Sequence, residues 1–474
     1  MKKIAIIGGG ITGLSAAFYL EKERIAGKEL EYRLFEASSR LGGSLYSERV
    51  DDCLVEAGPD SFLSEKPAAA VLCKELGIDG DLIGSNDHLR RTYIVVNNRL
   101  IEMPDGLMFM VPTKILPTAF SPLFSWGTKI RMARELFHPP RPMEKDETVA
   151  EMVERHFGQE VVDRLADPLL AGVYGGDSAS LSARAVLPRF VEMEEKYGSL
   201  SRAMLAARKR MREMAKNAPP RPLFTSLRNG MQELVDTVVG RLTREWIRTG
   251  VRVDAVSRTE CRWKIESDQG EEQFDALIFA TPANVAGKLL APTDAQLGED
   301  LAATQYSSSA TCVLGYAMKD LAKLPPGFGF LVPRTENRRM RACTFVHNKF
   351  SYRAPADKGL LRCFLGGAKE AATVELSEEV ITSTVLRELR EVLGLKAEPR
   401  FVRIYRWRGA MAQYTPGHMA RVARIEQTVR KIPNLAIGGN AFHGIGVPDC
   451  VRMGKEAAVA VAPQLDQQPG LISS

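Results

Sequence analysis

The residues near the start of the chain that could do chemistry are glycines and one acid. Gly8-Gly9-Gly10-Ile11-Thr12-Gly13 is a GxGxxG run, and Glu36 stands 23 residues beyond Gly13. Gly8 permits a tight turn, Gly10 lets backbone approach a pyrophosphate, and Gly13 lets a helix pack close to a strand. Free N–H groups at a helix start favour a phosphate. An acid about 20 residues further on accepts from a ribose hydroxyl. The chemistry indicated is dinucleotide binding. An acid at this point disfavours a 2′-phosphate, which leaves FAD or NAD. No Ser-His-Asp or Cys-His constellation accompanies the run, and neither CxxC nor HxxxH occurs, so no metal site is expected.

These residues act only if particular elements position them. Lys3 to Ile7 is a short apolar, β-branched run, as a buried parallel strand requires. A helical pattern follows the glycines, with Leu14, Ala17, Phe18 and Leu20 on one side. Glu31 to Phe35 alternates as a second strand and delivers Glu36 at its end. Directly behind lie Ala37, Arg40, Gly42, Gly43 and Ser44, an Arg-x-Gly-Gly whose charge and exposed N–H groups suit a second pyrophosphate contact. Far downstream, Gly250 to Val256 reads as strand-like and Ala276 to Pro282 as an apolar strand ending at a turn, separated by a hydrophilic hairpin at Ser267 to Gly270. Near the C-terminus, Asn434 to Phe442 leads through Ile445, Gly446 and Val447 into a helix, again with its N–H groups free for an anion or a carbonyl edge. Three distant segments would build one site, so the fold expected is α/β, with a discontinuous Rossmann-type domain.

Composition narrows the class. With 45% hydrophobic and 26% charged residues the chain is an ordinary globular protein rather than a disordered or fibrous one. Its net charge of +6 is local. Lys196 to Pro222 carries eight bases against one acid, so it holds +7 and the rest of the chain −1. A general affinity for nucleic acid is therefore not expected. Seven scattered cysteines without pairing motifs fit a reducing compartment. The N-terminus has no signal-peptide pattern, and no apolar run spans a bilayer, which makes a cytoplasmic protein the expectation. The nearest apolar run, Leu107 to Trp126, is broken by prolines and reads as core, tunnel wall or an interfacial patch.

The Arg40-x-Gly-Gly behind the acid resembles the FAD fingerprint of the flavin amine oxidase superfamily and is untypical of NAD dehydrogenases. More specific stretches are Glu56-Ala-Gly-Pro-Asp-Ser-Phe-Leu63, Asp167-Pro-Leu-Leu-Ala-Gly-Val-Tyr-Gly-Gly-Asp177, Leu227 to Leu234 and Gly438 to Gly454. Together they span nearly the whole chain. They resemble the oxygen-dependent, FAD-containing protoporphyrinogen/coproporphyrinogen oxidases, and most closely the soluble Gram-positive type. That resemblance implies six-electron oxidation of coproporphyrinogen III to coproporphyrin III in haem biosynthesis. It would proceed by hydride transfer to FAD, with O2 as acceptor and peroxide released. Protoporphyrinogen IX oxidation is the alternative substrate reading; an amine oxidase or desaturase of the superfamily, or a non-catalytic dinucleotide-dependent scaffold, are the others.

The resemblance also implies roles. Gly58, Pro59, Asp60 and Ser61 pass the flavin edge, Asp60 accepts from a pyrrole N–H or stabilises a developing cation, and Lys66 and Val173 line the substrate cavity, with Lys66 facing a propionate. Val253 holds the adenine and Trp407 lies near the flavin. The covalent cysteine of amine oxidases has no counterpart at 400–420, so the FAD is expected to be non-covalent. The expected division is an FAD domain at 1–55, 222–290 and 410–464, a mixed α+β substrate domain at 56–84 and 291–409, and an inserted helical domain at 85–221. By family resemblance the helical domain contacts a membrane or a haem-pathway partner. A monomer and a dimer are both compatible with the sequence.

Overall fold

A computed structural model of the chain describes residues 1–108, 110–214, 221–259 and 262–462. The basic stretch therefore lies partly, and the tail after Gln464 wholly, outside the described residues.

The N-terminal strand, helix and strand form as expected: β1 (Lys2–Ile7), α1 (Ile11–Ile25) and β2 (Leu30–Glu36). They join β3 (Ile247–Thr249), β4 (Ala276–Phe279) and β5 (Leu435–Ile437) in a five-stranded parallel sheet of order β3-β2-β1-β4-β5. The final helix, α2 (Val447–Val461), follows β5. Both faces of β1 are covered, which explains its unbroken apolar sequence. Ile4 and Ile6 pack into one core with Leu14, Leu34, Val451 and Leu234. Ala5 and Ile7 pack into the opposite one with Val253, Trp263, Phe274 and Leu301. On that second side lies a three-stranded sheet of Val253–Arg258, Trp263–Ser267 and Gly270–Phe274.

A seven-stranded sheet forms the other large layer. Its order is Phe401–Gln413, Gln305–Ala317, Lys358–Gly366, Met340–Phe345, Gly329–Leu331, Thr92–Val96, Arg99–Glu102. Helix Glu378–Leu393 covers one face through Ile381, Val385 and Leu389. The helices between Trp126 and Met214 have their own core, with Met152, Phe157, Leu165, Leu170 and Phe190 fully or nearly buried.

The expected segment limits differ from this arrangement, and helix Ala295–Ala302, placed with the substrate domain, buries Leu297 and Leu301 beside Ile7 in a core of the parallel sheet. Residues 92–102, placed with the helices, are strands of the seven-stranded sheet. Tyr93 and Val95 pack on one face while Ile94 packs on the helical core, so both faces are apolar and no alternation was visible. Helix Ala68–Leu76, placed with the substrate domain, buries Ala69, Leu72 and Leu76 in the core of the parallel sheet.

Candidate functional site

The glycine loop is built by contact. Gly8 has φ +109°, and a Cβ there would lie 2.6 Å from the Ala280 carbonyl oxygen; one on Gly13 would lie 1.9 Å from that of Gly8. Only glycine lets α1 start so close to β1 and β4. At Gly10, by contrast, a Cβ would meet nothing within 4 Å, so the start of α1 opens onto free space. Glu36 accepts from the Gly9 N–H at 2.7 Å and from the Ser38 N–H and hydroxyl at 2.8 Å each. Ala37 is exposed beside it. Gly42 donates to the Gly9 carbonyl at 2.8 Å, which lays Gly43 against Gly10 of the first loop, with Ser44 next in the chain. Arg40 is spent on its own turn, donating to the carbonyls of Leu41 (3.0 Å), Leu45 (2.8 Å) and Gly43. Its guanidinium shapes the second loop rather than pointing freely at a pyrophosphate.

Gly58 continues from this loop. A Cβ there would sit 1.8 Å from the Ser44 carbonyl oxygen and 3.4 Å from the Trp407 ring. Trp407 donates its indole N–H to the Ala57 carbonyl at 3.0 Å. Pro59, Asp60 and Ser61 follow, each half-buried. Asp60 is paired with Lys349 at 2.9 Å and lies 3.6 Å from Arg362. Burial opposes its charge, but Lys349, Arg362 and the Ser61 hydroxyl outweigh that and hold the carboxyl well below the usual range.

Lys66 reaches the other helix start. Its Nζ lies 2.6 Å from Asp449 in the first turn of α2, behind Gly444, Ile445, Gly446 and Val447. A Cβ on Gly454 would lie 2.3 Å from the Thr12 carbonyl oxygen, so α1 and α2 run in backbone contact and their N-termini open side by side. Tyr414 donates to the Asn440 carbonyl (2.8 Å), accepts the Gly444 N–H (2.9 Å) and stacks on His418 at 3.9 Å. Tyr174 lies 6.1 Å from Tyr414.

Val173 stands on helix Asp167–Tyr174, which packs over strands Gly329–Leu331, Met340–Phe345 and Phe401–Gln413. It is 55% exposed, an apolar side chain facing open space. The sheet face beneath carries Leu331, Ala342 and Phe364 as cross-strand partners, then Thr344 and Arg362 two residues along.

The fold thus gathers the predicted glycines, Glu36, Ser44, Gly58 and Trp407 around one loop pair, and Lys66 with Ile445–Val447 at the second helix start. Val253, 9% exposed, starts the three-stranded sheet two residues after Val251, whose N–H donates to the Glu36 carbonyl at 3.0 Å. Sequence reasoning missed Lys349, Arg362 and Asp449. Arg362 had one signal, a charge in the middle of the otherwise apolar run Gly359 to Gly366. Lys349 had none, because its partner is 289 residues away. The residues present fit a dinucleotide: two adjacent helix starts, glycines where side chains would clash, and an acid at the end of β2.

Three comparisons place this geometry among known proteins. Residues 11–462 match the family described as flavin containing amine oxidoreductase. A coproporphyrinogen III oxidase of Bacillus subtilis is 34% identical, over 96% of this chain and 97% of its own length. A human protoporphyrinogen oxidase is 30% identical, over 97% and 98%. A solved structure from Exiguobacterium sp. 255-15, provisionally assigned as a protoporphyrinogen oxidase, superposes with a TM-score of 0.86 at 31% identity, covering 97% of this chain and 98% of that one.

Proposed function

Because the chain belongs to the flavin-containing amine oxidoreductases and is a flavin-dependent oxidase, we propose that it oxidises coproporphyrinogen III to coproporphyrin III. The observation that carries this reading is full-length similarity to coproporphyrinogen III oxidases, together with the exposed Val173 above a sheet face that carries Leu331, Ala342 and Phe364. FAD is the cofactor and is held without a covalent bond. A bound flavin supplies hydride acceptance and reoxidation by O2, with hydrogen peroxide released.

The chain's own residues bind and orient. Gly8 to Gly13 with Gly43 and Ser44 cradle the pyrophosphate, Glu36 accepts from the ribose, and Val253 backs the adenine. Gly58 to Ser61, Trp407 and Ile445 to Val447 surround the ring system. Val173 with Leu331 and Phe364 walls an apolar cleft for the macrocycle, and Lys66 meets a propionate when it exchanges Asp449 for a substrate carboxylate. We read 1–55, 222–290 and 410–464 as the FAD unit, joined by helices 68–76 and 295–302, with 92–102 part of the substrate unit.

Among the described residues no helix is long and apolar enough to cross a membrane. Peripheral contact is supported by Leu116, Phe120, Trp126 and Ile130 on helices Ile115–Phe120 and Trp126–Glu135 and by Phe137 just beyond them, all large apolar side chains more than half exposed.

The deciding experiment measures porphyrin formation and peroxide release under air with coproporphyrinogen III, protoporphyrinogen IX and simple amines. The expected order of kcat/KM places coproporphyrinogen III first. A higher value for protoporphyrinogen IX overturns the substrate, and turnover of amines alone overturns the class. Acid denaturation should release all flavin; flavin retained on the protein contradicts non-covalent binding.

A further inference from the structure

The Gly58–Ser61 segment rests on a buried web of charge. Lys349 Nζ lies 3.1 and 2.9 Å from the two Asp60 carboxylate oxygens and 3.4 Å from the Ser61 hydroxyl. Its ammonium also lies 4.8 Å from the Phe224 ring and 5.2 Å from that of Phe350. Arg362 approaches Asp60 with one nitrogen at 3.6 Å and donates with another to the carbonyls of Gly58 and Ala57. Behind them Arg353 and Glu56, 0% and 2% exposed, lie 3.6 Å apart. Lys349, Arg362, Arg353 and Glu56 are the charged groups around Asp60. Three cations thus face two carboxylates. Asp60 itself keeps an open edge, 14% exposed.

We propose that Lys349 and Arg362 are positioning residues that hold Asp60 as a fixed anion, so that it serves the reaction as a hydrogen-bond acceptor for a substrate pyrrole N–H and not as the carrier of a proton. This rests on the porphyrinogen reading above. A proton carrier must change state near the working pH. Protonating Asp60 would discard two ion pairs at once and leave Lys349 and Arg362 buried with surplus charge. A fixed anion keeps its acceptor lone pairs through every two-electron round. Arg362 adds a second restraint, because the same guanidinium that faces Asp60 binds the carbonyls flanking Gly58. The position of that backbone and the charge of the acceptor are set together.

The test compares the native enzyme with Lys349→Met, Lys349→Arg and Asp60→Asn, each checked for folding by circular dichroism and for flavin content. The native kcat/KM for coproporphyrinogen III should show no acid limb from Asp60 down to about pH 5, a unit above the ordinary carboxyl value. Lys349→Met should raise the Asp60 midpoint by about 1–3 units. The raised midpoint still lies near or below the ordinary carboxyl value, so it is read directly, in an infrared pH titration of the Asp60 carboxyl taken as the difference from Asp60→Asn. In the same variant kcat falls about tenfold, and Lys349→Arg restores both the midpoint and the rate. The proposal is overturned if the native enzyme already shows an Asp60-dependent limb between about pH 6 and 7, or if Lys349→Met leaves the carboxyl titration unchanged. If no porphyrinogen is oxidised at all, the functional reading fails, while the infrared titration still decides whether the pairing fixes the charge.

Discussion

Replacing His156 by glutamine should loosen the helical region. His156 is fully buried between two carboxylates: its Nδ1 lies 3.0 Å from Glu135 and its Nε2 3.3 Å from Glu194. Glu135 in turn accepts the N–H groups of Leu200 (2.6 Å) and Ser201 (3.2 Å) and the Ser199 hydroxyl (2.9 Å), so it caps helix Leu200–Met214. Arg155 holds Glu194 and Glu147. One imidazolium therefore ties helices Trp126–Glu135, Val149–Phe157, Pro188–Tyr197 and Leu200–Met214 together. Glu135, His138 and His156 bring their ligand atoms within 4.8 Å of one another, yet the Glu135 oxygens are already taken by these donors, so the cluster reads as an ion network. Removing one partner of a buried pair costs about 3–5 kcal/mol. Arg155 remains on Glu194, which places His156→Gln near about 3 kcal/mol, or roughly a hundredfold in local opening. Hydrogen exchange of peptides covering 126–135 and 188–210 should accelerate by that factor, whereas His156→Arg, which keeps the cation, should stay within about tenfold of native.

The pH dependence has a definite sign. Burial lowers the His156 pKa, but the bonds to Glu135 and Glu194 outweigh it and the net shift is upward. Its stabilisation is complete below the unfolded histidine value and is lost as pH rises through the folded one. Glu135 and Glu194, despite burial, are held low by His156 and their other partners. Their contribution is present above the unfolded glutamate value and lost as pH falls through the folded one. The helices should be most protected in weakly acid to neutral solution, and His156→Arg should remove the alkaline loss. Equal exchange in native and His156→Gln protein at pH 6, or an unchanged alkaline loss in His156→Arg, refutes this reasoning.

Further outcomes follow from the same geometry. Gly13→Ala places a Cβ 1.9 Å from the Gly8 carbonyl oxygen and should cost about 1–3 kcal/mol, with at least tenfold weaker flavin retention by absorbance; full flavin content would show that α1 yields more than this packing allows. Lys66→Met breaks a pair that is 45% exposed on the lysine side, so stability should change by under about 1 kcal/mol while KM for coproporphyrinogen III rises severalfold; an unchanged KM removes Lys66 from carboxylate recognition. Phe120→Ser with Trp126→Ser should abolish co-sedimentation with anionic liposomes without altering turnover in solution, and liposome binding equal to native assigns those side chains elsewhere.

The glycine spacing, the acid after β2 and the apolar strands were decisive in the sequence itself, because they answer to local geometry: tight turns, free helix N–H groups and residues buried on both sheet faces. The widely spaced motifs Glu56–Leu63, Asp167–Asp177 and Gly438–Gly454 point to one flavoprotein class from sequence alone. What the sequence could not hold was pairing between distant charges. Lys349 with Asp60, Lys66 with Asp449 and His156 between Glu135 and Glu194 are each made by elements brought together only on folding. Arg40 shows the same limit from the other side. Its type suited an anion, but its position let it satisfy three carbonyls of its own turn first. A charged side chain's partner is set by which buried oxygen lies within reach, and that distance exists only in the tertiary structure.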